Sequence, residues 1–358
     1  QSEDVEIFHE ADETFNTGVY RSKSGAYIII GSGATVSNEY RFLSADTPMG
    51  EFTVFQPRER HLEYSIAHYK DHFYVLTNLD AKNFRLMRTS VNATEKQNWE
   101  EVIPHRDDVL LEDLELFEDY LVLGERKNGL TGLHVIAWDG SQDYYIPFND
   151  AAYVVFTTVN RDYNTHLLRY GYSSLTTPAT QYEFNMKTKE QTLLKQQEVV
   201  GGHNPEDYHA ERLYVTAKDG AKVPVSLVYK KGMEKNGQNP VLLYGYGSYG
   251  YSIDPSFSSI RLSLLNRGFV FAIAHIRGSE TMGRAWYEDG KLLNKRNTFT
   301  DFNDCAEHLI QEKFTSSEHL YAMGGSAGGL LMGAIMNMRP DLYNGIVASV
   351  PFVDVVTT

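Results

Sequence analysis

The sequence is poor in three features that would each indicate a particular class of protein. It has a single cysteine, Cys305, among 358 residues, which excludes an intrachain disulfide and predicts a reducing, cytoplasmic location. It has no apolar run approaching the roughly 20 residues of a membrane-spanning helix, so we expect no membrane partner. Basic residues are scarce, with 33 Lys and Arg against 47 Asp and Glu, and the net charge of −14 argues against nucleic acid as a partner.

The chain does have two halves with different hydrophobic periods, and the first half repeats. Residues 1–198 consist of short β-rich runs separated by turn residues, and three series of such runs recur. Members of one series begin at residues 41, 85, 134 and 182 and are therefore 44, 49 and 48 residues apart. A period of this length with about four strands predicts β-propeller blades, about four of them here, with an irregular β-sandwich as the alternative. Residues 5–8 resemble the last strand of a preceding blade, so we expect the array to begin within a repeat.

The second half alternates apolar strands with helical segments. Strands are predicted at 223–229, 240–244, 269–275 and 320–323, and a helix at about 298–314. This alternation predicts a parallel sheet covered by helices on both faces. We therefore expect a propeller domain over 1–198 and an α/β domain over 199–358. Three acids of the predicted helix are expected in its first turns, where the helix dipole favours negative charge: Asp301, Asp304 and Glu307.

Ser326 stands in the pattern of a nucleophile elbow. The run Gly324-x-Ser326-x-Gly328 lies between an apolar strand and a helix-forming stretch, which is typical of α/β-hydrolases. A serine hydroxyl becomes a nucleophile only when a base can reach it, so it must stand free on a sharp turn. A glycine-rich loop that opens an ordinary helix is the alternative. No histidine follows Ser326, although the triad order is Ser, then Asp or Glu, then His. We therefore expect the triad Asp and His to lie beyond residue 358 and the chain to be a piece of an enzyme.

A second glycine-rich loop lies at residues 244–250. Gly245, Gly247 and Gly250 match a dinucleotide-binding fingerprint, but residues 251–255 interrupt the required helix, and an apolar strand occupies the place of the expected acid. In α/β-hydrolases such a loop carries part of the oxyanion hole. We predict that the Ala327 N–H is one donor and that a tyrosine hydroxyl of this loop is the other. Three histidines that could suggest a metal site lie across two predicted strands without the pairing of ligands, so no metal site is expected at His61, His68 and His72.

The motifs of the second half, in their order, resemble those of the prolyl oligopeptidase family, and most closely its oligopeptidase B branch. They occupy residues 244–250, 275–278, 286–291, 297–302, 324–329, 338–342 and 350–358. The resemblance implies a seven-bladed propeller that caps an α/β-hydrolase domain and limits access to short peptides. It also implies that Ser326 is the nucleophile and that the Tyr246 hydroxyl joins the Ala327 N–H in the oxyanion hole.

The branch resemblance further implies cleavage after Arg or Lys without a metal or organic cofactor. Asp254 matches an acidic substrate-binding position of that branch, but Ser256 stands where many relatives have a second acid. Residues 277–283 also lack the glycine run that is common in relatives. The acids that would bind the basic side chain itself are expected beyond residue 358. Prolyl or acylaminoacyl-peptide specificity on the same fold is one alternative, and a non-catalytic binding module or inactive fragment is another.

Overall fold

The computed structural model describes residues 5–354 and residue 356, and its first half consists of four antiparallel sheets of four strands each. The first sheet is β1 (Asn16–Arg21), β2 (Tyr27–Ala34), β3 (Ser37–Ser44) and β4 (Thr53–Val54). The second is β5 (Tyr64–Tyr69), β6 (His72–Thr77), β7 (Arg85–Ser90) and β8 (Glu100–Ile103). The third is β9 (Val109–Leu116), β10 (Tyr120–Lys127), β11 (Leu130–Ala137) and β12 (Asp143–Tyr145). The fourth is β13 (Tyr153–Thr157), β14 (Leu167–Ser174), β15 (Thr180–Asn185) and β16 (Gln191–Gln196).

Neighbouring sheets share hydrophobic cores, as the blades of a propeller do. Phe55 beside the first sheet packs with Phe73 of the second in one buried cluster. Leu86 of the second sheet and Leu121 of the third belong to another, and a third cluster joins the third sheet to the fourth. Each sheet is therefore buried against the next, and the prediction of a β-propeller with about four blades is confirmed.

The recurring series of the sequence are the second, third and fourth strands of the blades. The first strands, β1, β5, β9 and β13, were not predicted, because their sequences share no common pattern. Residues 5–8 form no strand, so the prediction of an earlier blade's last strand there is wrong. Phe8 instead lies beneath the guanidinium of Arg41, 4.4 Å from its ring centroid, which ties this segment to the first blade.

The second half is built around one six-stranded sheet in the order β17-β18-β20-β19-β21-β22. Its strands are β17 (Tyr208–Thr216), β18 (Lys222–Lys230), β19 (Val241–Tyr244), β20 (Val270–Ala274), β21 (Leu320–Gly325) and β22 (Gly345–Ser349). Its helices are α1 (Ser259–Leu265), α2 (Arg284–Glu288), α3 (Arg296–Gln311) and α4 (Ala327–Met338). None of the helices formed by the described residues is both long and apolar enough to span a membrane.

The sheet is mixed rather than fully parallel, which corrects the sequence prediction. The pairs from β20 through β19 and β21 to β22 are parallel, but β17, β18 and β20 pair antiparallel. The β17–β18 pair is antiparallel for a local reason, since a short turn closed by the Ala217 N–H and the Ala221 carbonyl joins the two strands as a hairpin, whereas the β18–β20 pair depends on which strands become neighbours. Helices α3 and α4 cover one face of the sheet, and α1 covers the other together with residues near the fourth blade. The expected α/β-hydrolase architecture is confirmed with this change.

Asp301 was expected to interact with the helix dipole, and the structure shows a different role. It lies inside α3 rather than in the first turn, which holds no acid, and it is fully buried. Its carboxylate accepts hydrogen bonds from the Arg277 backbone N–H at 3.0 Å and from Arg277 Nη2 at 2.5 Å. Burial raises the pKa of Asp301, and the Arg277 guanidinium opposes that rise. The pair anchors the segment that follows β20 to α3.

Removing one partner of this pair is expected to destabilise the fold. Asp301→Ala removes the buried partner of Arg277, which is 6 % exposed, and leaves beside the guanidinium only the exposed Asp219 carboxylate, 2.6 Å from Nη1. Breaking a buried ion pair in this way costs about 3–5 kcal/mol of unfolding free energy. Urea denaturation followed by tryptophan fluorescence measures the change. Asp341→Ala is the matched control, because Asp341 pairs with Arg339 at the surface and is expected to change the same quantity by less than about 1 kcal/mol. Equal losses in the two variants would contradict this interpretation.

Candidate active site

Ser326 occupies a strained turn between β21 and α4. Its backbone lies in the left-handed region, with φ of 54° and ψ of −118°, which a non-glycine residue adopts only when its surroundings impose it. The surroundings do so through three hydrogen bonds. The Ser326 N–H donates to the Ser349 carbonyl at 3.0 Å, and the Ser326 carbonyl accepts from the N–H groups of Gly329 and Phe352, both at 2.9 Å.

The side chain of Ser326 is exposed, and its hydroxyl makes no hydrogen bond to any residue in 5–354 or to residue 356. This is the geometry that an elbow requires, since the hydroxyl stands clear of the fold and can be approached by a base and a substrate. Ala327, the first residue of α4, is buried, and its N–H has no acceptor within the helix. The positive end of the α4 dipole therefore lies at the serine.

The glycine-rich loop after β19 packs directly on the elbow. A Cβ at Gly328 would lie 2.9 Å from the Gly245 carbonyl oxygen and 3.3 Å from Cδ2 of Tyr246, so a larger residue would push the loop away. The ring of Tyr246 also meets Tyr251 edge-on, with 5.8 Å between the ring centroids. The structure thus brings Tyr246, Ala327 and Ser326 into one place from segments about 80 residues apart in the chain.

Tyr246 is suited to donate a hydrogen bond. Its side chain is half-buried, and its hydroxyl makes no hydrogen bond to a described residue. Burial raises the pKa of Tyr246, with smaller contributions from neighbouring tyrosines, so the phenol keeps its proton at neutral pH. A protonated hydroxyl without a partner among the described residues is free to donate to an oxyanion that forms within its reach.

Asp254 lies in a cavity of about 530 Å³ that Tyr246 also lines. It does not stand alone, because Arg126 of β10 reaches across from the propeller and binds its carboxylate at 2.7 and 3.3 Å. Arg126 also binds Glu112 at 2.6 Å, and Glu280 completes the lining. Burial would lower the pKa of Arg126, but the carboxylates of Glu112 and Asp254 raise it, so the guanidinium stays charged. Three carboxylates therefore line the cavity, of which Arg126 binds two and Arg284 binds Glu280 at 2.7 Å, whereas Ser256 is exposed and lies outside the lining.

No motif in the sequence indicated the other members of this cavity. Arg126 and Asp254 are 128 residues apart and belong to different domains. Neither Glu112 nor Glu280 stands in a motif, and each becomes part of the site only when a blade and the loop after β20 meet. Strand register within the third blade places Leu110 opposite Arg126 and leaves Glu112 at a bulge, so neither strand pairing nor any motif could have joined Arg126, Glu112 and Asp254.

A larger cavity of about 1040 Å³ lies between the propeller and the hydrolase half on the other side of the loop. Ala327 and Phe352 line it from the elbow, and His61 lines it from the propeller. Arg284 joins its two sides, since its guanidinium binds Glu63 of the propeller at 2.6 Å and its N–H donates to Asn83. Within the described part of the chain, no group of three or more His, Cys, Asp or Glu side chains has the arrangement of a metal site. His68 instead hydrogen-bonds Ser24 at 2.8 Å.

Comparison with known proteins matches both halves of the chain to domains of one family. The family model described as "Prolyl oligopeptidase, N-terminal beta-propeller domain" matches residues 1–197, and the one described as "Prolyl oligopeptidase family" matches residues 255–358. Dipeptidyl aminopeptidase BI of Pseudoxanthomonas mexicana is 48% identical over 100% of this chain and 49% of its own length. Protease 2 of Moraxella lacunata is 40% identical over 98% of this chain and 50% of its own length.

Solved structures agree with these matches. Oligopeptidase B from Trypanosoma brucei, in its closed form with covalently bound antipain, superposes with a TM-score of 0.93 at 40% sequence identity. The match covers 100% of this chain and 52% of that chain. The chain thus spans about half the length of the curated relatives and solved structures that it matches.

Proposed function

Because the chain belongs to the prolyl oligopeptidase family, we propose that it forms part of a serine peptidase that hydrolyses short peptides. The observation that supports this most strongly is the exposed Ser326 on its left-handed turn, with Tyr246 packed against the same elbow. A free hydroxyl on a strained turn between a strand and a helix is the arrangement that a nucleophile elbow requires.

In the proposed mechanism, the Ser326 oxygen attacks the carbonyl carbon of the peptide bond and loses its proton to a base. The Tyr246 hydroxyl and the Ala327 N–H donate to the oxyanion that forms. The base returns the proton to the leaving amine, and water then hydrolyses the acyl-enzyme and restores the serine. No histidine of the described residues hydrogen-bonds the Ser326 hydroxyl, and the triad order of this fold places the Asp and the His after the nucleophile.

We further propose a preference for Arg or Lys before the cleaved bond. The acids that bind the side chain before the cleaved bond are expected beyond residue 358, and the acidic cavity that contains Asp254 borders Tyr246, where it can hold a further positive group of the peptide. The names of two relatives, oligopeptidase B and protease 2, are consistent with this preference. The similarity to a dipeptidyl aminopeptidase supports a second candidate, in which the same carboxylates bind the α-amino group of the substrate. The single buried cysteine supports a cytoplasmic location.

A matched peptide series tests the specificity. In the full-length protein, we expect kcat/KM to be about 100-fold higher with Arg or Lys before the cleaved bond than with Pro or Phe. Raising the salt concentration should weaken turnover of the basic substrates more than that of the neutral ones, because salt screens the attraction to partly exposed carboxylates. A preference for Pro would assign the chain to the prolyl specificity instead.

The same series separates an oligopeptidase from a dipeptidyl aminopeptidase. Each basic peptide is compared with its N-acetylated form, which lacks the α-amino charge. We expect acetylated peptides to be cleaved at comparable rates. A loss of cleavage confined to the acetylated peptides, with dipeptides released from the free ones, would favour the second candidate.

A further inference from the structure

Lys295 makes two hydrogen bonds to the loop that carries Tyr246. The residue lies immediately before α3, and its Nζ is 2.5 Å from the Gly247 carbonyl oxygen and 2.7 Å from the Ser248 Oγ. These are the two residues that follow Tyr246 in the chain. Lys295 forms no ion pair with any carboxylate in the described part of the chain, which distinguishes it from Lys82 and Arg284 in the same cavity.

The environment of Lys295 is unfavourable for a charge. Its side chain is partly buried, and burial lowers the pKa of Lys295 to about 8. An ammonium removed from water without a carboxylate partner is costly, so its two short bonds have to offset that cost. Hydrogen bonds from a charged donor are stronger than neutral ones, which makes this contact a firm restraint on the loop.

Backbone hydrogen bonds also restrain the loop, and one of them runs from the Tyr251 N–H to the Ser248 carbonyl at 3.0 Å. The Gly245 N–H donates to the Met323 carbonyl at 3.2 Å, and the Gly250 N–H donates to the Gly278 carbonyl at 3.0 Å. Between them, the Gly247 carbonyl oxygen fits closely against Gly278, where a Cβ would lie only 2.0 Å away. Lys295 thus donates to a carbonyl that also fits closely against the backbone of the segment after β20.

We propose that Lys295 is a positioning residue, whose ammonium fixes residues 247 and 248 so that the Tyr246 hydroxyl stays directed at the oxyanion. The inference rests on the proposed peptidase function, because it concerns the geometry of that site. Lys295 does not touch the substrate in this account and acts only through Tyr246. A misplacement of about 1 Å in such a group can cost up to roughly 100-fold in rate.

A double-mutant cycle with Tyr246 tests the proposal in the full-length protein. Lys295→Met is expected to lower kcat by about 10- to 100-fold and to leave KM within about twofold, because the interaction that it weakens is made only in the transition state. In the Tyr246→Phe background, the same substitution should have almost no further effect, since the hydroxyl that Lys295 positions is gone. Lys295→Arg keeps a charged donor and should restore part of the rate.

Lys291→Met is the matched control. Lys291 lines the same cavity, but its ammonium lies over the Tyr287 ring, 4.3 Å from the centroid, and makes no hydrogen bond to the loop. The Lys291→Met substitution removes one positive charge from the cavity, as Lys295→Met does, and is expected to leave kcat within about twofold. If kcat fell equally in both lysine variants, the effect would come from the charge of the cavity and the proposal would be wrong.

Two other results would also overturn it. One is an unchanged kcat in Lys295→Met, and the other is an equal loss in the presence and absence of the Tyr246 hydroxyl. Should Lys295→Met fold poorly, Ser248→Ala removes one of the two acceptors and must show a smaller loss with the same dependence on Tyr246. These outcomes are distinct from failure of the proposed function, in which the unmodified protein would cleave no peptide at all.

Discussion

Replacing Ser326 by alanine in the full-length protein is expected to lower kcat for peptide hydrolysis by about 10⁶-fold, the loss seen when a triad serine is removed. The remaining rate would come from the oxyanion donors and substrate binding alone. The free energy of unfolding should change by no more than about 0.5 kcal/mol, because the hydroxyl is exposed and makes no hydrogen bond to a described residue. Steady-state kinetics and urea denaturation of the same preparations measure the two quantities.

Ser317→Ala is the control for this prediction. Ser317 is also exposed, and it lies just before β21, so the substitution makes the same chemical change near the same strand. We expect it to leave both kcat and stability unchanged. Substantial hydrolysis by Ser326→Ala, or a parallel loss in both variants, would show that Ser326 is not the nucleophile.

The second largest effect is expected at Tyr246. Tyr246→Phe removes one hydroxyl while it keeps the ring that packs beside Gly328 and Tyr251. Loss of a single oxyanion donor should lower kcat by about 10²-fold. KM should stay nearly constant, because the donor acts on charge that develops only in the transition state. Kinetics with one good peptide substrate and thermal unfolding of the same variant separate catalysis from stability.

Tyr249→Phe provides the comparison within the same loop. Tyr249 is 69% exposed, which makes it the tyrosine of residues 244–250 with the most access to solvent. Its removal is expected to lower kcat by less than about tenfold. A melting temperature that falls in Tyr246→Phe with kinetics intact would give Tyr246 a structural role only.

The parts of the fold that the sequence predicted are those set by local patterns. The strand patterns repeat because each blade buries its strands against the neighbouring blades in the same way. Ser326 was identified because a strand, a glycine turn and a helix must follow one another directly in an elbow. The mixed sheet was not predicted, because the pairing of β18 with β20 depends on which strands become neighbours in three dimensions. Hydrophobic period carries no information about strand direction.

The contacts that complete the site depend on long-range packing, and the sequence could not supply them. Arg126 binds Asp254 across the domain boundary, and Lys295 holds a loop almost 50 residues earlier in the chain. Asp301 shows the same limit, since its position within a helix was predicted but its partner Arg277 was not. Charged residues lie on many surfaces, so their spacing alone does not reveal which of them is buried against another.

The most direct test of the central claim is covalent labelling of the full-length protein with a fluorophosphonate, which reacts with an activated serine. The account predicts one label per protein molecule, located by mass spectrometry at Ser326, and loss of that label in Ser326→Ala but not in Ser317→Ala. Peptide hydrolysis should disappear in step with labelling. Active protein that remains unlabelled, or a stoichiometric label on a different residue, would contradict the assignment of Ser326 as the nucleophile.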